Sequence, residues 1–221
     1  MCFSAGASFT GGVIISAIGV ATIIKVHKPS QIVFASIPLF FGFQQFVEGC
    51  MWLILQHPEY ARFQNIFTYI FLIMAQVFWP IMVPLAVLHM EKNLKKIKVL
   101  RILLGFGALV SLYYTYCLCY YHATPQISGY HILYTVDSPK TLTFIAFILY
   151  LISSITPLFL SSIKRTHLLG ILMSLSCLVS MIFFTLYLTS VWCFFAAFIS
   201  AVIYWILHDS KKEFNFRKKS Y

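Results

Sequence analysis

Seven long apolar stretches constrain this 221-residue chain more than any other feature of its sequence. A helix needs about 20 mostly apolar residues to cross a hydrocarbon core of about 30 Å. The stretches that meet or approach this length are Phe9–Val26, Ile32–Leu55, Ile66–Leu88, Ile97–Tyr121, Leu142–Ser162, Leu168–Leu188 and Val191–Leu207. The sequence therefore predicts an all-α bundle of seven transmembrane helices in residues 1–208, followed by a basic tail at 209–221.

The composition excludes a water-soluble domain. The chain is 60% hydrophobic and 10% charged, whereas soluble domains have about 25% charged residues. The net charge of +10 does not indicate nucleic-acid binding, because the basic residues lie in short loops between apolar stretches and not along one polar face. We therefore expect an integral, multi-pass membrane protein whose main partner is the lipid bilayer.

The distribution of basic residues predicts the orientation in the membrane. With the N-terminus outside, 14 of the 16 Lys and Arg residues are cytoplasmic, and only Arg62 and Lys140 are external. Basic residues are enriched in cytoplasmic loops, so we expect an external N-terminus and a cytoplasmic C-terminus. The tail Lys211–Tyr221 is expected to lie on anionic lipid, which contributes about 1 kcal/mol per basic residue.

Glu48 is the only acidic residue well inside a predicted span. At 1.5 Å per residue it lies about 10 Å from the outer end of its helix. Gln44, Gln45 and Trp52 are three or four residues away and therefore share its helix face. An ionisable group inside the membrane is costly and indicates a functional site by default. The alternative is a protonated Glu48 that joins helices through the two amides.

Other reactive side chains are expected on the same outer side. Cys2 precedes the first helix, His131 lies in the longest outer loop, and Trp192 and Cys193 begin the seventh helix. Cysteine, histidine and carboxylate side chains are ligands for zinc or another borderline transition metal. We hypothesise that Cys2, Glu48, His131 and Cys193 share a metal. In the alternative interpretation, His131 is a solvated loop residue and Cys193 a packing residue.

The sequence lacks the known motifs that would identify a reaction. The sequence has no zinc-protease, nucleophile-elbow, phosphate-loop or dinucleotide-binding motif. The outer loop His122–Thr141 is the longest non-helical stretch, and loops of that length in compact proteins are often functional. The loop therefore belongs with Glu48 among the candidate functional elements.

Several stretches together resemble an uncharacterised family of prokaryotic multi-pass membrane proteins. They are the opening Met1–Ala5, Phe43–Gln45, Glu48 with Gly49 and Trp52, Trp79 with Pro80, and Val191–Phe195. The resemblance extends over nearly the whole chain, and its Met-Cys-Phe-Ser start is fairly specific. It implies a multi-pass protein of a prokaryotic plasma (inner) membrane, and it transfers no mechanism.

These observations favour a membrane enzyme or redox protein with a polar site around Glu48 and a lipidic or membrane-soluble substrate. One alternative is a proton-coupled transporter or a small-molecule-binding membrane protein. A second alternative is a structural membrane protein without a catalytic site. A transporter needs a polar path through both halves of the membrane, whereas the predicted inner half offers only scattered Ser and Thr residues. This weakly favours the enzyme.

Overall fold

The computed structural model describes residues 3–183 and 195–218, and of residues 209–218 only the backbone. This part of the chain contains eight α-helical segments. They are α1 (Ala5–Ile24), α2 (Ile32–Gln56), α3 (Gln64–Leu72), α4 (Trp79–Met90), α5 (Leu94–Tyr120), α6 (Lys140–Leu160), α7 (Arg165–Phe183) and α8 (Ala196–Lys218). The π-helical segment Ile73–Phe78 joins α3 to α4, so these two form one continuous rod.

Six helices of the described part are long and apolar enough to cross a membrane: α1, α2, the α3–α4 rod, α5, α6 and α7. Helix α8 contributes a shorter apolar segment, Ala196–His208. The chain is thus a multi-pass membrane protein. The connection between the sixth and seventh predicted spans, at 184–194, lies outside the described residues, and the direction of crossing stays a prediction.

The two ends of the bundle differ, and we name them by their residues. The hairpin end comprises residues 3–5, 56–64 and 120–140, where α1, α3 and α6 begin and α2 and α5 end. The basic end comprises residues 24–32, 90–96 and 160–166, where the remaining helix connections of the described part lie.

The loop predicted between α5 and α6 is a β-hairpin, so the all-α prediction is wrong in this segment. Strands β1 (Ala123–Ser128) and β2 (His131–Val136) pair antiparallel. Gly129, at φ 61°, makes the turn, which is a backbone conformation that glycine adopts without strain. An isolated hairpin is only marginally stable in water. Here Ile132 and Tyr134 of β2 pack on α2 and α3, which anchors the hairpin to the bundle.

Pro80 shapes the α3–α4 rod through the π-helical segment that precedes it. Pro80 has no N–H to donate to the carbonyl of Ala75, five residues earlier in π register. Tyr150 of α6 donates its hydroxyl to that carbonyl at 2.9 Å. Ser111 of α5 donates to the carbonyl of Val77 at 2.6 Å. Neighbouring helices thus bind the backbone oxygens, as a membrane interior requires.

Two helix pairs approach closely because they meet at glycine. A Cβ atom added at Gly107 of α5 would overlap the carbonyl oxygen of Pro80 in α4. A Cβ atom at Gly12 of α1 would lie 3.3 Å from the carbonyl oxygen of Gly42 in α2. Small residues at such crossings are typical of membrane helices. Helix α1 therefore packs closely against α2, the helix that carries Glu48.

Candidate functional site

The inward face of α2 carries the polar residues predicted from the sequence. Gln44, Gln45, Glu48 and Trp52 are between 0% and 3% exposed. Their spacing places them on one side of the helix, and that side faces the bundle and not lipid. Glu48 is therefore an interior carboxyl group with two amides and an indole on the same helix face.

Gln44 connects this face to α4. The Nε1 of Trp79 donates to Oε1 of Gln44 at 3.0 Å, and both side chains are buried. Trp79 is the first residue of α4 and stacks on Phe41, with ring centroids 4.2 Å apart. Sequence reasoning placed Trp79 only in a motif of resemblance and did not predict this hydrogen bond. It couples the Glu48 face to the end of the π-helical segment.

The β-hairpin covers the same α2 face at the hairpin end of the bundle. Ile132 of β2 packs in one buried cluster with Met51 and Trp52, and Ala5 at the start of α1 contacts this cluster. Trp52 lies four residues from Glu48, which is about 6 Å along the helix axis. Three separate chain segments therefore meet one helical turn from Glu48.

The structure corrects the interpretation of His131 as a solvated loop residue. Its side chain is 9% exposed, and its ring lies beside that of Phe3, with centroids 5.1 Å apart. Burial removes water from the imidazolium and lowers the pKa of His131. The neutral imidazole, which is the form that binds metals, is therefore favoured at neutral pH.

The remaining candidate residues, Cys2, Trp192 and Cys193, lie outside the described residues. Within the described ranges, no group of three or more His, Cys, Asp and Glu side chains is arranged to hold a metal ion. The shared metal therefore stays a hypothesis that depends on the two cysteines. Cys2 directly precedes Phe3 in the chain, and Phe3 contacts His131.

Two tryptophans at the polar face of α2, Trp52 within it and Trp79 bound to it, differ in their hydrogen bonding. The Nε1 of Trp79 has Gln44 as its acceptor. The Nε1 of Trp52 is buried and has no acceptor among the described residues. A buried donor without an acceptor is costly, which makes Trp52 a candidate contact for a bound group at this end.

Sequence reasoning missed a second buried carboxylate, Glu91 at the basic end. Oε1 of Glu91 accepts from the backbone N–H of Lys92 at 2.8 Å and of Asn93 at 2.9 Å. Ser162 donates its N–H to Oε2 at 2.7 Å and its hydroxyl to Oε1 at 2.8 Å. Desolvation acts to raise the pKa of Glu91, but the hydrogen bonds from Asn93, Ser162 and Lys92 outweigh it and lower the pKa. The sequence signal was a lone acid among basic residues at the end of a span.

Comparison with known proteins gives one match. The family model described as "Family of unknown function (DUF6629)" matches residues 1–218, which include every described helix and the hairpin. No curated protein and no solved structure matches the chain. The match thus groups the whole fold with a family and assigns no chemistry to its residues.

Proposed function

Since the chain belongs to the family of unknown function DUF6629, whose description assigns no activity, we propose a function from the geometry of the hairpin end. The protein is a membrane enzyme or redox protein whose buried polar site is centred on Glu48. Its substrate is lipidic or otherwise membrane-soluble. The hairpin end faces the outside and the basic end the cytoplasm, in line with the 14-to-2 distribution of basic residues.

The contact between Phe3 and His131 is the observation that carries this proposal. It supports a meeting of Cys2 and His131, because consecutive Cα atoms are only 3.8 Å apart. Ala5 contacts the same cluster as Trp52, one helical turn from Glu48. The N-terminus, the hairpin and the polar face of α2 thus approach one another at a single end of the bundle.

The packing of α8 supports the inclusion of Cys193. Helix α8 packs against both α1 and α2, and it begins at Ala196, three residues after Cys193. The helices that carry or flank Cys2, Glu48 and Cys193 are therefore mutual neighbours. Shared depth in the membrane alone would leave the positions of these helices around the bundle open, and their packing restricts those positions.

The donor types suit zinc or another borderline metal. Zinc binds thiolate, neutral imidazole and carboxylate ligands in a tetrahedral arrangement. Burial favours the neutral form of His131, and a bound cation lowers the pKa of a thiol such as Cys2. Glu48 then acts as a fourth ligand or as the acid–base group of the site. Gln44, Gln45, Trp52 and Trp192 are the proposed binding residues around it.

A transporter or small-molecule binder is the second candidate, and the π-helical segment favours it. Short π-helical segments are frequent at functional sites. Here the segment Ile73–Phe78 ends at Trp79, whose indole is bound to Gln44. A change in the protonation of Glu48 would then reach the α3–α4 rod through the neighbouring amide.

Metal analysis of the purified full-length protein tests the leading proposal. We expect stoichiometric zinc or a similar metal in the parent, and a clear loss of metal in Cys2→Ser and His131→Ala. Cys119→Ser is the matched control, because Cys119 is an exposed thiol on α5. This variant should retain the metal. A metal-free parent that binds no added zinc contradicts the metal site.

Glu48→Gln separates the candidate functions from a structural role. In a catalytic or ligating role, the substitution abolishes metal retention or activity and leaves the fold intact, since the amide preserves the shape of the side chain. A variant equal to the parent in metal content, activity and melting temperature contradicts both the enzyme and the transporter, and leaves the structural membrane protein.

A further inference from the structure

The basic end carries a group of cations that the site around Glu48 does not involve. Five of these six side chains are exposed, and the sixth, Lys96, is half-buried. We call this group the cation patch: Lys92, Lys95, Lys96, Lys98, Arg101 and Lys164. Lys92 lies in the connection between α4 and α5, Lys164 lies in the connection between α6 and α7, and the other four members lie in the first turns of α5.

Glu91 holds these two connections together. Ser162 of the α6–α7 connection donates its N–H and its hydroxyl to the Glu91 carboxylate at 2.7 and 2.8 Å. Lys92 is the next residue after Glu91, and Lys164 follows Ser162 by two positions. Cations from both connections are therefore brought to one place at the surface of the bundle.

Glu91 contributes one negative charge, which leaves most of the charge of the six cations uncompensated. Both carboxylate oxygens are bound to backbone N–H groups or to the Ser162 hydroxyl. Among the side chains that the structure describes, no carboxylate forms an ion pair with any member of the patch. The helix dipole at the start of α5 adds further positive potential. The patch thus presents uncompensated positive charge.

The surroundings of the patch identify its partner. Leu94 and Ile102 lie among the cations of α5 and are 75% and 59% exposed. Apolar side chains between exposed cations are typical of a surface that lies in the headgroup region of a membrane. A soluble phosphate compound would contact the cations and leave these apolar side chains in water.

We propose that the cation patch binds the phosphate headgroups of anionic phospholipids in the membrane leaflet at the basic end. Glu91 is the positioning residue, because it joins the two connections beside which the cations lie. The acyl chains of the same lipids cover Leu94 and Ile102. This inference is independent of the chemistry at Glu48.

Titration of the detergent-solubilised full chain with fluorescent phosphatidylglycerol tests the proposal, with phosphatidylcholine and inorganic phosphate as competitors. We expect unlabelled phosphatidylglycerol to compete far better than either. Each cation near an anionic surface contributes about fivefold to binding. The triple variant Lys95→Gln, Lys98→Gln, Arg101→Gln should therefore bind more than tenfold more weakly. Effective competition by inorganic phosphate identifies a soluble-anion site and overturns the proposal.

Two control variants make the titration specific. Arg62→Gln with Lys140→Gln removes exposed cations at the hairpin end and should leave binding unchanged. Lys95→Arg with Lys98→Arg preserves the charge and should bind as the parent does, which confirms that the glutamine effect is not misfolding. If neutralising Lys211, Lys212 and Arg217 removes all of the lipid preference and the triple variant removes none, the proposal is wrong.

Glu91→Ala tests the positioning role of Glu91, because a loss of positioning and a loss of negative charge predict opposite changes in anion binding. Removing a negative charge strengthens anion binding if Glu91 acts only through its charge. If Glu91 holds the two connections together, the variant binds phosphatidylglycerol several-fold more weakly, although the basic end has become more positive. Tighter binding by Glu91→Ala contradicts the positioning role.

Discussion

Glu48 and Glu91 are both buried carboxyl residues, yet their surroundings differ. Glu91 lies at the end of α4 and is bound by the backbone N–H groups of Lys92, Asn93 and Ser162. Glu48 lies within α2, completely buried, with Gln44 and Gln45 on its helix face. The first carboxylate completes local backbone hydrogen bonding, and the second occupies the interior of a membrane bundle.

The difference shows which buried acid is explained by the fold. Backbone donors at a helix end need acceptors, and Glu91 supplies them, so its burial has a structural cause. Interior polar residues of membrane proteins are expensive, and the helix of Glu48 needs no carboxyl group for its own hydrogen bonds. Glu48 is therefore the better candidate for function and Glu91 for stability, and the two residues should respond differently to the same substitutions.

Alanine at position 91 should give the largest loss of stability. Glu91→Ala removes a charged acceptor from three backbone donors and one hydroxyl, and we expect the free energy of unfolding to fall by about 2–3 kcal/mol. Thermal unfolding in detergent measures the change. Glu59→Ala is the control, because Glu59 is exposed and, among the described side chains, forms an ion pair only with His57, at 3.4 Å. Equal melting temperatures for the two variants would refute the structural role of Glu91.

Glutamine at positions 48 and 91 should separate the two roles: the substitution at 91 should affect stability, and the substitution at 48 should affect metal content or activity. Glu91→Gln weakens charge-assisted hydrogen bonds and should cost about 1–2 kcal/mol while leaving metal content unchanged. Glu48→Gln should leave melting nearly unchanged and remove metal or activity. Melting curves and metal analysis on the same samples check both. The comparison fails if Glu48→Gln destabilises the protein more than Glu91→Gln and retains full metal content.

The two tryptophans at the polar face of α2 provide a smaller, matched test. Trp79→Phe leaves Oε1 of Gln44 without its indole donor and should cost about 1 kcal/mol. Trp52→Phe removes an N–H that has no acceptor in the described part of the chain, so melting should be unchanged while ligand or metal binding weakens. If Trp52→Phe destabilises as much as Trp79→Phe, the indole of Trp52 has a structural partner.

Lowering the pH should destabilise the two ends of the bundle in separate pH ranges. These changes in melting temperature should be smaller than those caused by the substitutions above. The pKa of His131 is lowered from 6.5, so the folded state disfavours the proton, and stability falls as pH drops below about 6.5. The pKa of Glu91 is lowered from 4.5, so its contribution is complete above that pH and is lost below it. On metal-free protein, the fall in melting temperature below about pH 6.5 should be absent in His131→Asn, and the further fall below about pH 4.5 should be absent in Glu91→Gln. Persistence of both falls in both variants would contradict these assignments.

The membrane bundle was predictable because apolar stretches of spanning length depend only on local sequence. The hairpin was not, because β1 and β2 gain their stability from Ile132 and Tyr134 packing on α2 and α3, which lie far away in the chain. The π-helical segment was not predictable either, because its carbonyl groups are bound by Tyr150 and Ser111, which lie on other helices.

The candidate site was likewise predictable only in part. Helical spacing placed the polar residues of α2 on one face. The buried ring of His131 lies beside Phe3, which comes from the start of the chain. Glu91 was missed because its partner Ser162 is separated from it in the chain by two helices, α5 and α6. Residues on one helix face follow from periodicity, whereas meetings between helices require the three-dimensional packing.

Cross-linking of Cys2 to Cys193 tests the central claim, the convergence of chain segments at Glu48, most directly. A disulfide forms only when the two Cα atoms lie within about 4.4–6.8 Å. The experiment uses a chain in which alanine replaces the other cysteines, Cys50, Cys117, Cys119 and Cys177. The account predicts an intramolecular Cys2–Cys193 disulfide on mild oxidation, detected by peptide mass spectrometry, and its suppression by added zinc. Folded protein that forms no such disulfide, with both thiols still open to alkylation, would contradict the account.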